Sequence, residues 1–400
     1  MDEQGGNRSS VALRNGMKVP RNSACVRHAG GRDVTMGSEI RLERFQTQYR
    51  FNPNENSRIT IDEDTSQMDT PGFIYEQKQS IQSRLKLLIA VLWVSFLIQP
   101  RAIAEEKTAE SFSVVLLPDT QFYSEKFPDI YKVQTEWIKA NVKKRNIKFV
   151  IHLGDIVQNA TIREFIVADK AQAVLDGVVP YSMVPGNHDM KTLNKRLTRD
   201  TTNYNKYFPP SRYKNQNWYG GHKGETNDNN YCFFEEGELK FMVVSLEFAP
   251  TDETIGWARN IISEHKDRRV IVATHCYMRP TMRESTSPRS YGIEGNSGEE
   301  LFQKLIRKHK NINMVMCGHV LGVGLLKSKN DFDNEVIEML TDYQGLPKGG
   351  NGWLRILKFV PHENKIYVET YSPLLKKINP NEKHTYQLDY PMQVQNKVVK

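Results

Sequence analysis

The chain has 400 residues, 26% charged and 38% hydrophobic, which is enough for one large globular domain or two ordinary ones. Its formal net charge of +8 suits an anionic partner such as a phosphoester, a nucleic acid or an acidic lipid surface, and equally suits a mildly basic surface with no dedicated partner. Four cysteines with no CxxC pair exclude a disulfide framework and a zinc knuckle, and no nucleic-acid-binding signature stands out.

Residues 1–67 are poor in apolar side chains and keep no helical or strand period, so they are expected to be disordered or a non-native extension. Composition changes near Arg84. Residues 87–98 form an apolar run of about a dozen, short of the roughly 20 a bilayer span requires. Lys78, Arg84 and Lys86 precede the run and Ala102-Ile103-Ala104 follows it. A basic flank, a short apolar core and an A-x-A site describe a secretory signal peptide over 68–104. Translation is then expected to begin at Met68, and the mature chain, secreted or periplasmic, near Glu105. The competing expectation is an uncleaved signal anchor that tethers the chain to a membrane.

From Ser111 onward strands and helices alternate: strand 112–117, helix 130–144, strand 149–153, helix 162–175 and strand 180–184. That cadence predicts an α/β fold, in which functional residues gather beyond the carboxyl ends of strands. Asp119, Asp155 and Asn187 all stand there. Residues 191–229 are a long polar insertion carrying Tyr204, Tyr207, Phe208, Tyr213, Trp218 and Tyr219, expected to form an ordered lid or substrate wall. Runs 231–234 and 240–246 read as a hairpin, 253–264 as a helix, and 269–274 as a strand ending on His275. Arg279, Arg283 and Arg289 lie in the loop that follows and are candidates to hold a phosphate oxygen. After a helix at 298–308, strand 313–317 ends on Gly318-His319. Runs 335–343, 354–360 and 365–370 then alternate like antiparallel strands, with the turn Gly349-Gly350-Asn351-Gly352 between the first two. The globular domain is expected over 105–378, with 379–400 as a tail.

Asp119, Gln121, Asp155, Asn187, His275 and His319 offer carboxylate and amide oxygens with imidazole nitrogens, a donor set suited to Zn, Mn or Fe rather than Ca. An aspartate can bridge two cations, a cation pair can hold a hydroxide that attacks phosphorus in line, and a nearby imidazole can protonate the leaving alkoxide. Taken singly, Asp119 or Asp155 reads as a helix cap, His275 as a hydrogen-bonded core histidine and His188 as a loop histidine.

Taken in order, Asp119-Thr120-Gln121, Gly154-Asp155, Gly186-Asn187-His188-Asp189, His275 and Gly318-His319 resemble the successive motifs of the calcineurin-like metallophosphoesterases. That family's pattern is D-x-H, GD, GNH[DE], a lone H and GHxH, and the resemblance spans about residues 112–322. The Leu-Pro-Asp-Thr-Gln opening is similar to that of a secreted bacterial subgroup. The resemblance implies a four-layer αββα sandwich with two central mixed sheets, and hydrolysis of phosphomonoesters or phosphodiesters by a metal-bound hydroxide. It implies two metal ions, with Asp119 at the first, Asn187, His275 and His319 at the second, Asp155 bridging both, and His188 as general acid. Asp189 is expected to order its loop. Two positions depart from the pattern: Gln121 stands where a histidine is usual, and Leu321 replaces the second histidine of GHxH. The first site is thereby left short of ligands. The rival expectation is a secreted or anchored binding module with a degenerate one-metal site and no turnover; a weaker one is an extracellular nuclease, with strongly salt-dependent binding.

Overall fold

A computed structural model describes residues 109–392. The expectations for 1–67 and for the signal segment 68–104 lie outside the described residues.

Strands follow the chain as β1 (Phe112–Leu117), β2 (Ile147–His152), β3 (Tyr181–Met183), β4 (Tyr219–His222), β5 (Asn230–Glu236), β6 (Leu239–Leu246), β7 (Arg269–Thr274) and β8 (Ile312–Cys317). They continue as β9 (Gly322–Lys329), β10 (Glu335–Asp342), β11 (Leu354–Val360), β12 (Lys365–Ser372), β13 (Lys377–Ile378) and β14 (Tyr386–Asp389). One seven-stranded sheet has the order β13-β12-β11-β1-β2-β3, with β14 also on β12; the other has the order β9-β10-β8-β7-β6-β5-β4. Strands β1, β2 and β3 run parallel, as do β6, β7, β8 and β10, and antiparallel partners flank both sets.

The alternation of apolar residues explains the layering. Phe112, Val114 and Leu116 of β1 point one way, into a core shared with Phe234, Phe241, Ile271 and Met316 of the other sheet. Val115 and Leu117 point the other way, onto Ile130, Tyr131, Ile138 and Phe165 of the helices α1 (Pro128–Asn141) and α2 (Ile162–Gln172). The second sheet likewise packs its outer face on α3 (Asp252–Glu264) and α4 (Gly298–Lys304). The result is the four-layer αββα sandwich. Stacked aromatic pairs cement the middle, Phe112 with Phe359 and Phe234 with Phe241, both at 4.7 Å between ring centres. Side-chain caps set the helix starts: Thr161 accepts from the Glu164 amide, Thr251 from Thr254, and Ser297 forms a capping box with Glu300.

Three expectations change. Residues 335–343 do not join the later antiparallel strands; β10 lies in the opposite sheet, parallel to β8 and antiparallel to β9. Alternating burial cannot tell which sheet a strand joins. Residues 379–392, expected as tail, instead add β14 to β12 and bury Tyr390 and Met392. The 191–229 insertion divides rather than forming one lid: Tyr204, Phe208 and Tyr213 are buried in the outer core, with Trp218 and Tyr219 against them, while Thr192, Lys195 and Leu197 wall a cavity beside Asn187 and His188.

Candidate metal centre

The parallel strands of both sheets end on the same edge, and there the six predicted metal ligands are distributed. Asp119 follows β1, Asp155 follows β2 and Asn187 follows β3; His275 follows β7 and His319 follows β8. Asp155 and His319 hold left-handed backbone, with φ of 45° and 72°. Such conformations are uncommon outside glycine and persist where the surroundings enforce them. Gly186 is required by closeness: a Cβ there would lie 2.2 Å from Asp155 Oδ1.

Asp155, His275 and His319 form the tight nucleus, their ligand atoms all within 4.8 Å of one another. His275 Nε2 is 3.1 Å from Asp155 Oδ2 and 3.2 Å from His319 Nδ1. The other nitrogen of each ring is occupied: His275 Nδ1 lies 2.9 Å from the Leu153 carbonyl, and His319 Nε2 lies 3.1 Å from the Tyr291 hydroxyl. That arrangement directs the remaining nitrogen of each imidazole inward, toward Asp155 and the other ring, as a metal ligand needs. Asn187 Oδ1 is buried with no hydrogen-bond partner.

Asp119 lies against the Gly318-His319 backbone. The His319 amide donates to its Oδ2 at 3.2 Å, and Gln344 Nε2 donates to the same oxygen at 3.3 Å. Gln121, two residues on, donates to Gln158 Oε1 at 2.7 Å, while its own Oε1 is buried and unpartnered. Leu321 is 59% exposed and lies outside this cluster's buried shell. Thr120 is locked behind Asp119 by His152 Nε2 at 3.0 Å and by donation to the Ile156 carbonyl.

The residues fit a metal. Two buried amide oxygens lack partners, and imidazoles are poised at near-contact with a carboxylate. Without an ion, burial and the mutual charges of these groups set their protonation. Burial alone would strip His275 of its proton, but Asp155 and Asp119 outweigh it and raise its pKa to about 10. Burial would raise Asp155, but His275 prevails and lowers it to about 2. Burial, then the His275 charge, lowers His319 to about 4. Burial and then Asp342 raise Asp119 well above the carboxylate range. Cys276 is no thiolate donor, because burial pushes its thiol up to about 12.

His188 sits beside this nucleus. Its backbone amide donates to Asp155 Oδ1 at 2.9 Å and its Nδ1 lies 2.7 Å from the Gln158 carbonyl. It lines a cavity of about 500 Å³ together with Asn187, Lys195 and Tyr291. Asp189 orders the loop, accepting from the amides of Gly186 at 2.7 Å, Ile156 at 2.9 Å and Val157 at 3.0 Å.

The three loop arginines have other partners: Arg279 pairs with Glu284, Arg289 with Glu300, and Arg283 with Glu299 and the buried Glu338. None is a free phosphate anchor. Gln158, Tyr291, Asp342 and Gln344 were missed from the sequence. Asp342 had a readable signal, a carboxylate at a strand end like Asp119, but only if β10 is recognised as a parallel strand of the second sheet.

The chain belongs to the calcineurin-like phosphoesterase family: the family model matches residues 112–322, more than half of the 400. It is also similar to the uncharacterized protein YvnB of Bacillus subtilis (strain 168), 33% identical over 285 residues, which are 69% of this chain and 21% of that protein. The chain therefore spans about a fifth of that relative's length. Among solved structures it resembles the purple acid phosphatase PPD1 of yellow lupin, at 11% identity over 71% of this chain and 55% of that one, with a TM-score of 0.47. It also resembles GAP50, the anchor in the inner membrane complex of Plasmodium, at 14% identity over 72% and 91%, with a TM-score of 0.40. The family assignment rests on the model match, and these looser likenesses add nothing to it.

Proposed function

We propose that the chain hydrolyses phosphoesters, mono- or diesters, with two transition-metal ions of the Mn, Fe or Zn kind. Family membership supports metal-dependent phosphoester hydrolysis in general. The observation that carries the finer reading is the convergence of Asp155, His275 and His319 within 4.8 Å, with His188 beside them on an open cavity.

Asn187, His275 and His319 would hold one ion, Asp119 and Gln121 would contribute to the other, and Asp155 would face both. When bound, the ions supply activation of water and neutralisation of charge on the phosphoester oxygens. The remaining work falls to side chains. With Nδ1 of His188 held by the Gln158 carbonyl, Nε2 is the ring atom left for a ligand in the cavity. As imidazolium, His188 can give the Nε2 proton to the departing alkoxide and so avoid release of a strong base. Tyr291 and the Leu153 carbonyl keep the two ligand imidazoles from rotating. Lys195 on the cavity wall offers an ammonium to an anionic substrate group.

The test is turnover of a generic aryl phosphomonoester and an aryl phosphodiester by the full chain, before and after chelation and metal return. Metal-dependent turnover that is lost in His188→Ala supports the reading. Metal binding with no turnover on either ester leaves the chain a metal-holding binding module and overturns it.

A further inference from the structure

The sequence leaves the first metal position one ligand short, since Leu321 cannot ligate and its side chain is 59% exposed. We infer that Asp342, at the carboxyl end of β10, supplies the missing ligand, an inference that rests on the two-metal reading above.

Because β10 runs parallel to β8, its end emerges beside His319 and opposite Asp119. Asp342 is buried, and so is Asp119. Gln344 Nε2 faces three oxygens at once: Asp342 Oδ2 at 3.1 Å, Asp119 Oδ2 at 3.3 Å and the His319 carbonyl at 3.4 Å. An amide nitrogen has two hydrogens, so one of the three oxygens goes short, and all three contacts are longer than the usual 2.9–3.0 Å or so for N–H···O. The Gln344 backbone amide meanwhile donates to Asp342 Oδ1 at 2.8 Å, so Oδ2 is the oxygen turned to the shared point. Two buried carboxylates whose hydrogen-bond partners are neutral amides form an expensive arrangement that a cation between them relieves. Gln121 Oε1, two residues after Asp119 in the chain, is buried and unpartnered, an independent second sign of a ligand.

The glycine-rich turn has its place in this arrangement. A Cβ on Gly349, at φ 74°, would lie 2.5 Å from Phe122 Cβ, so glycine lets the turn lie against the segment that follows Asp119. The Gly352 amide donates to the Tyr123 hydroxyl at 2.9 Å, and Tyr343 shares a hydrogen bond with Thr370. The turn that follows Asp342-Tyr343-Gln344 is thus held against the segment after Asp119, and Tyr343 is held to β12. Asp342 acts as a ligand and Gln344 as its positioning residue.

The test counts bound Mn per full-length chain by elemental analysis after chelation and reloading, with electron paramagnetic resonance to separate a coupled pair from an isolated ion. Wild type is expected to hold two coupled ions. Asp342→Asn, nearly isosteric, is expected to hold one uncoupled ion, with the other bound at least about tenfold more weakly. Asp342→Ser should behave alike, and the melting temperature of the metal-free variants identifies any that fail to fold. Two coupled ions of unchanged affinity in a folded Asp342 variant overturn the inference and leave the two-metal reading standing. A single ion in wild type removes both.

Discussion

On the His275 side of Asp155 the donors are imidazole nitrogens and one amide oxygen, each ring fixed by a partner on its other nitrogen. On the Asp119 side the groups are oxygens: Asp119, Asp342 and the His319 carbonyl gather around the Gln344 amide, and the Gln121 amide oxygen is buried without a partner. On the proposed two-metal reading, Asp155 would therefore face two positions of different character. Imidazole is a stronger and softer donor than an amide or carboxylate oxygen toward Zn, Fe and Mn, so the His275 position should hold its ion the more tightly, and the all-oxygen position should favour the harder ion. On the proposed assignment, a motif would lose a histidine without losing a site, because a neighbouring strand of the same sheet ends at the same edge.

The largest effect expected is from Asp155→Asn, which serves both sides. Both ions should be lost on elemental analysis and turnover should fall to background; retention of either ion would mean that Asp155 does not bridge. His188→Ala touches neither side and should lower turnover by about 10²–10⁴-fold with metal content intact. Tyr291→Phe frees only the His319 ring, so titration calorimetry should show metal affinity about 10–100-fold weaker on the His275 side alone. Equal weakening on both sides would dissolve the distinction. Proton linkage sharpens it further. His275 in the metal-free protein keeps its proton up to a pKa of about 10, and a ligand imidazole must be neutral. Binding on that side therefore releases a proton, and apparent affinity should rise by about tenfold per pH unit between about pH 7 and 9. A pH-independent affinity there would show that His275 is not displaced from its proton. The smallest effect is expected of Leu321→His: the position is exposed, so metal stoichiometry should not change.

Much of this was legible before any coordinates. The βαβαβ cadence and the strand-end positions of Asp119, Asp155, Asn187, His275 and His319 follow from short-range periodicity, which the backbone obeys locally. What was not legible depends on contacts far apart in sequence. Asp342 stands 223 positions beyond Asp119 and meets it only because β10 joins the sheet opposite β1. A period of two records burial but not the identity of the neighbouring strand. The aromatics of 191–229 gave a similarly incomplete signal: their apolar area announced burial, but not burial in the helix layer rather than over the site. The arginines of the 279–297 loop suggested phosphate, yet their carboxylate partners Glu284, Glu299, Glu300 and Glu338 are set by the fold.

The most direct measurement is phosphoester turnover by one preparation of the full chain, stripped with chelator and titrated back with Mn, with bound metal counted at each point. Turnover that is absent in the stripped protein and appears in step with the second ion is the result expected of two unlike positions joined at Asp155. Turnover that survives complete stripping, or never appears at two ions per chain, would contradict it.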